Sequence, residues 1–346
     1  QKILEEVERS GRPYSKVAFE HVHNFGNDVI SMVGLPPMYH YELDPQDVNV
    51  MIEPIIGAMW TSITTVWEQY CDATISTSPE VYEPEGTAHM KKWMTETGRD
   101  FWCFGPLLPP QEKRDSLAAE TKLSENADEI QAFLDKTLKD HGDKSLLYIS
   151  FGSIFWPTAQ EKLWAVLDVI MEQNIPFILS HASPFAVFPD EVLAKVKAYG
   201  NRVLTKWSPQ QTVFAHPALG WFLTHGGQNS VTEATVQGIP MICWPFHADQ
   251  PCNSLHLSEN LNVAYELLEV RTGKGMLPLY RTGKAPAGTI EAIKREAREV
   301  LEKAWGEDGR IKRQNMKQLQ GKVLHAWDRD GPATKDLDRF MDVVCA

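Results

Sequence analysis

The sequence predicts an α/β protein with doubly wound parallel sheets, and three observations carry that prediction. From residue 145 onward, apolar runs of strand length alternate with segments whose apolar residues recur at helical spacing, which implies parallel strands joined by crossover helices. A proline- and glycine-rich stretch from Gly105 to Pro110, continuing into the charged "QEKRDSLAAETK", separates this region from an earlier one of mixed helix and strand. Finally, "LGWFLTHGGQNS" sets a histidine and two glycines between a strand and a helix start, where open α/β sheets bind their ligands.

Taken in chain order, the first residues read as the body of a helix that ends at Gly11. Residues 55–73 read as an apolar-rich helix, "ATISTS" as a short strand, and Pro79 to about Thr97 as a helix with an acidic first turn. "DFWCFGPLLPP" gives a strand stopping at Gly105. Beyond the linker, strands fall at "SLLYISF", "PFILSH", "RVLTKW", "LGWFLTH", "PMICWPF" and "NVAYEL". Helices fall at 158–173, where Leu163, Val166, Leu167 and Ile170 share a face, near 190–198, near 209–216, and from about 229 and 249. Three helices close the chain at 289–304, 310–327 and 334–345, the last with a stripe of Leu337, Phe340, Met341 and Val344. These readings divide the chain into a first domain over 1–104, a linker over 105–123, a second domain over 124–327 and a terminal helix over 328–346.

Composition narrows the function classes. A chain of 346 residues accommodates two domains of ordinary size, and 43% hydrophobic with 23% charged residues is the profile of a globular protein. A net charge of −12 opposes binding to a phosphate backbone, which needs a basic face. The 5 cysteines are odd in number and form no C-x-x-C pair, which fits a reducing, cytoplasmic compartment. No stretch approaches the roughly 18 consecutive apolar residues of a membrane span.

The helix start after His225 offers free backbone N–H groups and the positive end of a helix dipole, and Gly226 and Gly227 let a ligand approach closely; together these suit a phosphate or diphosphate. On H-G-G alone, a strand-end histidine with a glycine turn explains the pattern equally well. Glu233 lies one helical turn after Asn229 on the same face, where a carboxylate accepts two neighbouring hydroxyls such as those of a ribose; alone it is an ordinary exposed glutamate. Trp207 stands at a strand end before a proline and offers a flat face for a base, or else packs in the core.

From Trp207 to Gln250 the pattern resembles the nucleotide-sugar signature of family 1 UDP-glycosyltransferases. W-S-P-Q at 207–210, H-P at 216–217, H-G-G-Q-N-S at 225–230, Glu233, G-I-P-M at 238–241, W-P-F at 244–246 and D-Q at 249–250 match in order and spacing. "YISFGS" at 148–153 and "GPLLPP" at 105–110 sit where that family has a phosphate-contacting loop and its linker, and "VGLPPMYHYE" at 33–42 resembles the fungal branch. The resemblance implies a GT-B fold of two Rossmann-like domains facing each other across a cleft, the N-terminal one incomplete in this chain.

It also implies roles. Trp207 would stack on uracil, the backbone of Gln210 would bond its edge, and Glu233 would hold the ribose. His225, Asn229, Ser230 and Ser153, with the helix start at Gly227, would take the diphosphate. Asp249 and Gln250 would bind the sugar, glutamine being more similar to glucose-using members. Gln228 stands where plant members carry a sugar-contacting tryptophan, and His247 where an aromatic is common; it would touch the donor sugar or, as is expected, take a packing or rim role. The implied reaction is metal-independent, inverting transfer of a hexose, glucose by this reading, from UDP to a hydroxyl of a small hydrophobic acceptor; no cofactor is expected beyond the UDP-sugar substrate, and no D-x-D-like pair suggests Mg²⁺.

No position matches the family's catalytic histidine or its supporting aspartate, so the base is expected upstream of residue 1, and His21, His23 and His40 are read as loop or surface residues. Three accounts follow: a piece of a longer enzyme, which is preferred; one subunit whose N-terminal part is a separate chain; or a nucleotide-sugar-binding fragment without turnover. A transferase building a lipid-linked glycan is a further alternative. Met38, Tyr39, Trp60 and Trp67 would line an acceptor cleft or, for the two tryptophans, one face of a packed helix.

Overall fold

The computed structural model describes residues 2–22, 25–47, 57–59, 63, 66–67, 69–108 and 126–345. Part of the helix expected over 55–73, Trp60 included, and all of the charged part of the linker lie outside those residues. The chain opens with α1 (Lys2–Ser10) and α2 (Tyr14–Val22), followed by the short antiparallel pair β1 (Val29–Ile30) and β2 (Met38–Tyr39). A parallel pair, β3 (Ala73–Ser76) and β4 (Asp100–Cys103), flanks α3 (Pro84–Glu96). That helix starts five residues later than its sequence suggests. Pro84 is the reason: it disfavours helical geometry at Glu83, and its fixed φ suits the first turn.

The second part of the chain follows the expected alternation: α4 (Ala127–His141), β5 (Leu146–Ser150), α5 (Gln160–Glu172), β6 (Phe177–Ser180), α6 (Asp190–Tyr199), β7 (Arg202–Thr205), α7 (Gln210–Ala215), β8 (Leu219–Thr224), α8 (Gln228–Gln237), β9 (Met241–Cys243), α9 (Gln250–Leu255) and β10 (Ala264–Glu266). It closes with α10 (Ile290–Ala304), α11 (Glu307–Leu324) and α12 (Pro332–Val344). The sequence reading lacks α4, a charged helix whose buried Ile130, Leu134 and Thr137 form a narrow stripe. It also starts α11 three residues late, because Gly306 caps a first turn made of Glu307 and Asp308 rather than of apolar residues.

All six strands pair in parallel in the order β10-β9-β8-β5-β6-β7. Apart from a register shift at the start of β8 where it pairs with β5, alternate side chains enter opposite cores. Leu147, Ile149, Trp221 and Leu223 face α5 and α10, while Leu146, Tyr148, Leu219 and Phe222 face the layer of α4, α7, α8 and α11. Both faces are thus covered, as a doubly wound sheet requires. The chain moves outward from β5 in one direction through β6 and β7, then returns to the other side through β8, so a crevice opens between the carboxyl ends of β5 and β8. Among the described residues the N-terminal part contributes only the β1–β2 and β3–β4 pairs.

Two segments tie the parts together. Residues 38–47 lie as a strap along 270–280: Gln46 Nε2 donates to Val270 O at 3.1 Å, Asp47 N to Thr272 Oγ1 at 2.6 Å, and Tyr280 N to Glu42 Oε1 at 2.8 Å. Gly275 has no room for a side chain there, since a Cβ would sit 2.4 Å from Pro45 O. At the other end, Phe340 of α12 packs edge-on against Trp102 and Phe104, and Asp336 Oδ2 accepts the amide of Cys103 at 2.8 Å. Met38 is buried in the strap and Tyr39 stacks on Tyr41 and meets Tyr280 edge-on, while Trp67 donates to Thr74 Oγ1 and packs on Trp93; these are packing contacts.

Candidate functional site

The residues singled out from the sequence stand on the loops and helix starts that follow β5, β7, β8 and β9. Thr224 ends β8, His225 follows, and Gly226 at φ +81° turns the chain so that Gly227 caps α8. Across the crevice, the turn after β5 carries Gly152 at φ +74° and exposed Ser153. The His225 ring lies between two bare backbones: a Cβ on Gly152 would stand 3.1 Å from its Cε1 and Nε2, and one on Gly227 2.6 Å from Nε2. Glycine at both places is therefore a requirement of the ring's position. Burial drives the imidazole's pKa down to about 4, because a cation there would lose its hydration. His225 is thus neutral at ordinary pH and offers a hydrogen bond rather than a charge.

Asn229 is exposed and Ser230 half-buried in the first turn of α8. Gly227 supplies no side-chain cap, so the helix start keeps the free donors that an anion uses. One of these donors is taken: Gln228 N donates to Asp249 Oδ2 at 2.7 Å.

At one end of the crevice, Trp207 lies just beyond β7 with 46% of its surface exposed. Ser208, next to it, is 2.6 Å from Tyr148 OH, which also donates to Gln210 Oε1 at 3.3 Å; the W-S-P-Q turn is thereby fastened to β5. Gln210 Nε2 donates to Glu233 Oε2. Burial raises the Glu233 carboxyl above its usual range, and hydrogen bonds from Gln210 and Gln211 oppose that rise. The resemblance assigned Gln210 a backbone role; its side chain also fixes Glu233, a contact between α7 and α8 that local spacing does not reveal.

At the far end of the crevice, Asp249 and Gln250 differ. Asp249 is exposed and shares its Oδ2 between Gln228 N and Asn253 Nδ2, the latter at 2.9 Å; burial of the carboxyl group still raises its pKa, the largest of several influences. Gln250 is buried, with Oε1 accepting from Phe246 N at 2.9 Å and His247 N at 3.1 Å. Gln228 reaches Ser78 Oγ at 3.2 Å, linking α8 to the loop after β3. His247, read as packing from the sequence, is 3% exposed with Nδ1 3.1 Å from Asp44 Oδ1. Ser78, Asp44, Asn253 and Gly152 were not singled out beforehand. Only Gly152, inside "YISFGS", carried a sequence signal.

The described residues contain no cluster of three or more His, Cys, Asp or Glu placed to hold a metal ion, and no helix among them is long and apolar enough to cross a membrane. The crevice can accept a planar base on Trp207, a diol at Glu233, an anion at His225 and the α8 terminus, and a polyhydroxylated group near Asp249.

Residues 45–272 match the family model described as "UDP-glucoronosyl and UDP-glucosyl transferase". The chain is 33% identical over 356 aligned residues to the UDP-glycosyltransferase eriJ of Hericium erinaceus, covering 99% of this chain and 69% of that protein. It is 32% identical to a flavonol 3-O-glucosyltransferase of Actinidia chinensis var. chinensis over 60% of this chain and 41% of the relative's length. Among solved structures, a UGT transferase from Siraitia grosvenorii in complex with UDP superimposes with a TM-score of 0.69 at 17% identity, over 100% of this chain and 74% of that one. UGT2 of Phytolacca americana complexed with UDP-2fluoro-glucose and pterostilbene gives 0.64 at 19% identity, over 95% and 67%.

Proposed function

The chain belongs to the UDP-glycosyltransferase family, and we propose on that premise that its crevice binds a UDP-hexose, glucose in our reading, for transfer to a hydroxyl of a small hydrophobic acceptor. The observation that supports it most is the His225 ring held between Gly152 and Gly227 beside the open start of α8, with the Trp207 face exposed at the nucleotide end. In this reading uracil stacks on Trp207, and the ribose hydroxyls bond Glu233 in the place prepared by Gln210. The diphosphate takes His225, Asn229, Ser230, Ser153 and the free amides near Gly227. The hexose lies toward Asp249, Gln228 and the Gln250 turn.

The chemistry follows from that placement. The acceptor hydroxyl loses its proton to a base and its oxygen attacks the anomeric carbon from the face opposite UDP. The bond to the diphosphate oxygen breaks and UDP departs with the electron pair, so the sugar's configuration inverts. Charge builds on the leaving diphosphate, and neutral donors aimed at it stabilise the transition state more than the ground state. A neutral His225 suits this task, because the helix dipole and hydrogen bonds offset the charge without a metal. The general base is not assigned to a residue of this chain. A cytoplasmic location belongs to the same proposal.

Incubation with UDP-glucose and a panel of phenolic acceptors, followed by mass spectrometry, tests the reading. A product heavier by one hexose, lost in Trp207→Ala, is expected of the enzyme. Absence of both UDP binding and hexose transfer would overturn it; UDP binding without transfer would reduce it to a donor-binding unit.

A further inference from the structure

The turn that carries Asp249 is held at both ends. Ala248, in its middle, adopts φ +60°, a left-handed conformation that a residue with a Cβ enters only under constraint. On one side Gln250 closes the turn through Oε1, which accepts the amides of Phe246 and His247, while Gln250 N donates to His247 O at 3.1 Å. On the other side the His247 imidazole sits 3.1 Å from Asp44, a residue of the strap. The strap is itself fixed beside Asp44: Thr272 N donates to Pro45 O at 3.0 Å, and a Cβ on Gly273 would stand 2.0 Å from Asp47 Oδ1. Asp44 is desolvated enough that its carboxyl is pushed up to about 7, with Asp47 adding to the rise and Lys274 opposing it. Asp44 Oδ1 is buried without a hydrogen bond among the described residues, and His247 Nδ1, 3.1 Å away, is a polar atom that faces it as an ion-pair contact.

Building on the donor-site reading above, we propose that Asp44 and His247 form a positioning pair that sets the sugar-binding turn, so that a residue of the strap, far away in sequence, determines how well the site distinguishes UDP-hexose from bare UDP. The pair touches neither the base nor the diphosphate. It acts through Ala248 on Asp249, whose carboxylate faces the start of α8. The strap therefore belongs functionally to the donor site as well as to the first domain.

Calorimetry with UDP and with UDP-glucose on Asp44→Asn and His247→Ala tests this. UDP affinity stays within about twofold of wild type, and UDP-glucose affinity falls about tenfold, a size ordinary for coupled neighbours. The double variant is no weaker than either single one, and His247→Asn, which keeps a donor near the Nδ1 position, recovers part of the loss. Equal losses for both ligands, or none, would overturn the proposal. Hydrogen exchange on the unliganded chain gives a readout that does not depend on the donor: in Asp44→Asn the amides of Phe246 and His247 exchange faster while that of Leu223 in β8 does not. Unchanged exchange at Phe246 and His247 overturns the pair even where the wild-type chain binds no UDP, a result that separately sinks the donor-site reading.

Discussion

The nucleotide end and the sugar end of the crevice are built in different ways. Trp207, Gln210, His225 and Glu233 come from one short stretch of chain, and the sheet that positions them is their own: β7 leads into Trp207, β8 into His225, and Tyr148 of β5 fastens the turn after Trp207. The sugar end is assembled from afar. Asp249 sits in a strained turn whose supports are Asp44 on the strap and Gln250 within the turn, and Gln228 bonds Ser78 beyond β3. A site of the first kind is specified by local pattern and keeps its geometry as long as the sheet is folded. A site of the second kind depends on how the strap docks, and selectivity for the sugar can change without touching the nucleotide contacts.

Substitutions that act on one end alone sharpen this contrast. The largest effect is expected from Gly227→Ala: its Cβ meets His225 Nε2, so the ring must move, and UDP affinity falls tenfold or more by calorimetry, about the strength of one hydrogen bond to a charged group, while the circular dichroism spectrum is retained. Glu233→Gln comes next. It weakens UDP about fivefold, on the scale of one hydrogen bond, and narrows the difference between UDP and 2′-deoxy-UDP; an undiminished preference for the ribose would remove Glu233 from that role.

The acidity of the medium probes the same residue in a different manner. His225 is held at about 4 in the fold against an ordinary 6.5, so below pH 6.5 the unfolded chain takes up a proton that the folded chain refuses. The stability present above pH 6.5 is therefore lost as pH falls from 6.5 towards 4. Thermal midpoints measured across that window should fall less steeply in His225→Gln than in wild type, and identical slopes would show that the ring is not desolvated. The smallest effect is at the sugar end: Ala248→Gly relieves a left-handed Cβ and stabilises the fold by about 1 kcal/mol, with UDP affinity unchanged in titration.

The two ends also differ in how far they could be read from sequence. Of the six parallel strands, β5, β6, β8 and β9 were legible as buried runs bounded by turn residues, β7 and β10 through the alternation they continue, and the H-G-G-Q-N-S start of α8 because a strand, two glycines and a helix follow at once. The positions of Trp207 after β7 and of Glu233 on α8 were legible through their spacing. What spacing could not supply was a side chain's partner. The Gln210 amide reaching Glu233, Asp249 capping Gln228, and Asp44 meeting His247 are contacts between elements, and Gln250 reads as a ligand group although its carbonyl oxygen holds a turn. The start of α3 was misplaced for a local reason, Pro84, and α4 was missed because its buried stripe is only Ile130, Leu134 and Thr137 amid charge.

The account rests on a division of labour within the nucleotide end, with Trp207 serving the base and His225 the diphosphate. Titration of uridine and of UDP against wild type, Trp207→Ala and His225→Ala tests it most directly. Loss of a stacked base amounts to about 1–3 kcal/mol, so Trp207→Ala should weaken uridine and UDP by the same factor. His225→Ala should weaken UDP and leave uridine as it was. Equal weakening of both ligands by His225→Ala, or unchanged binding of both by Trp207→Ala, would contradict the assignment.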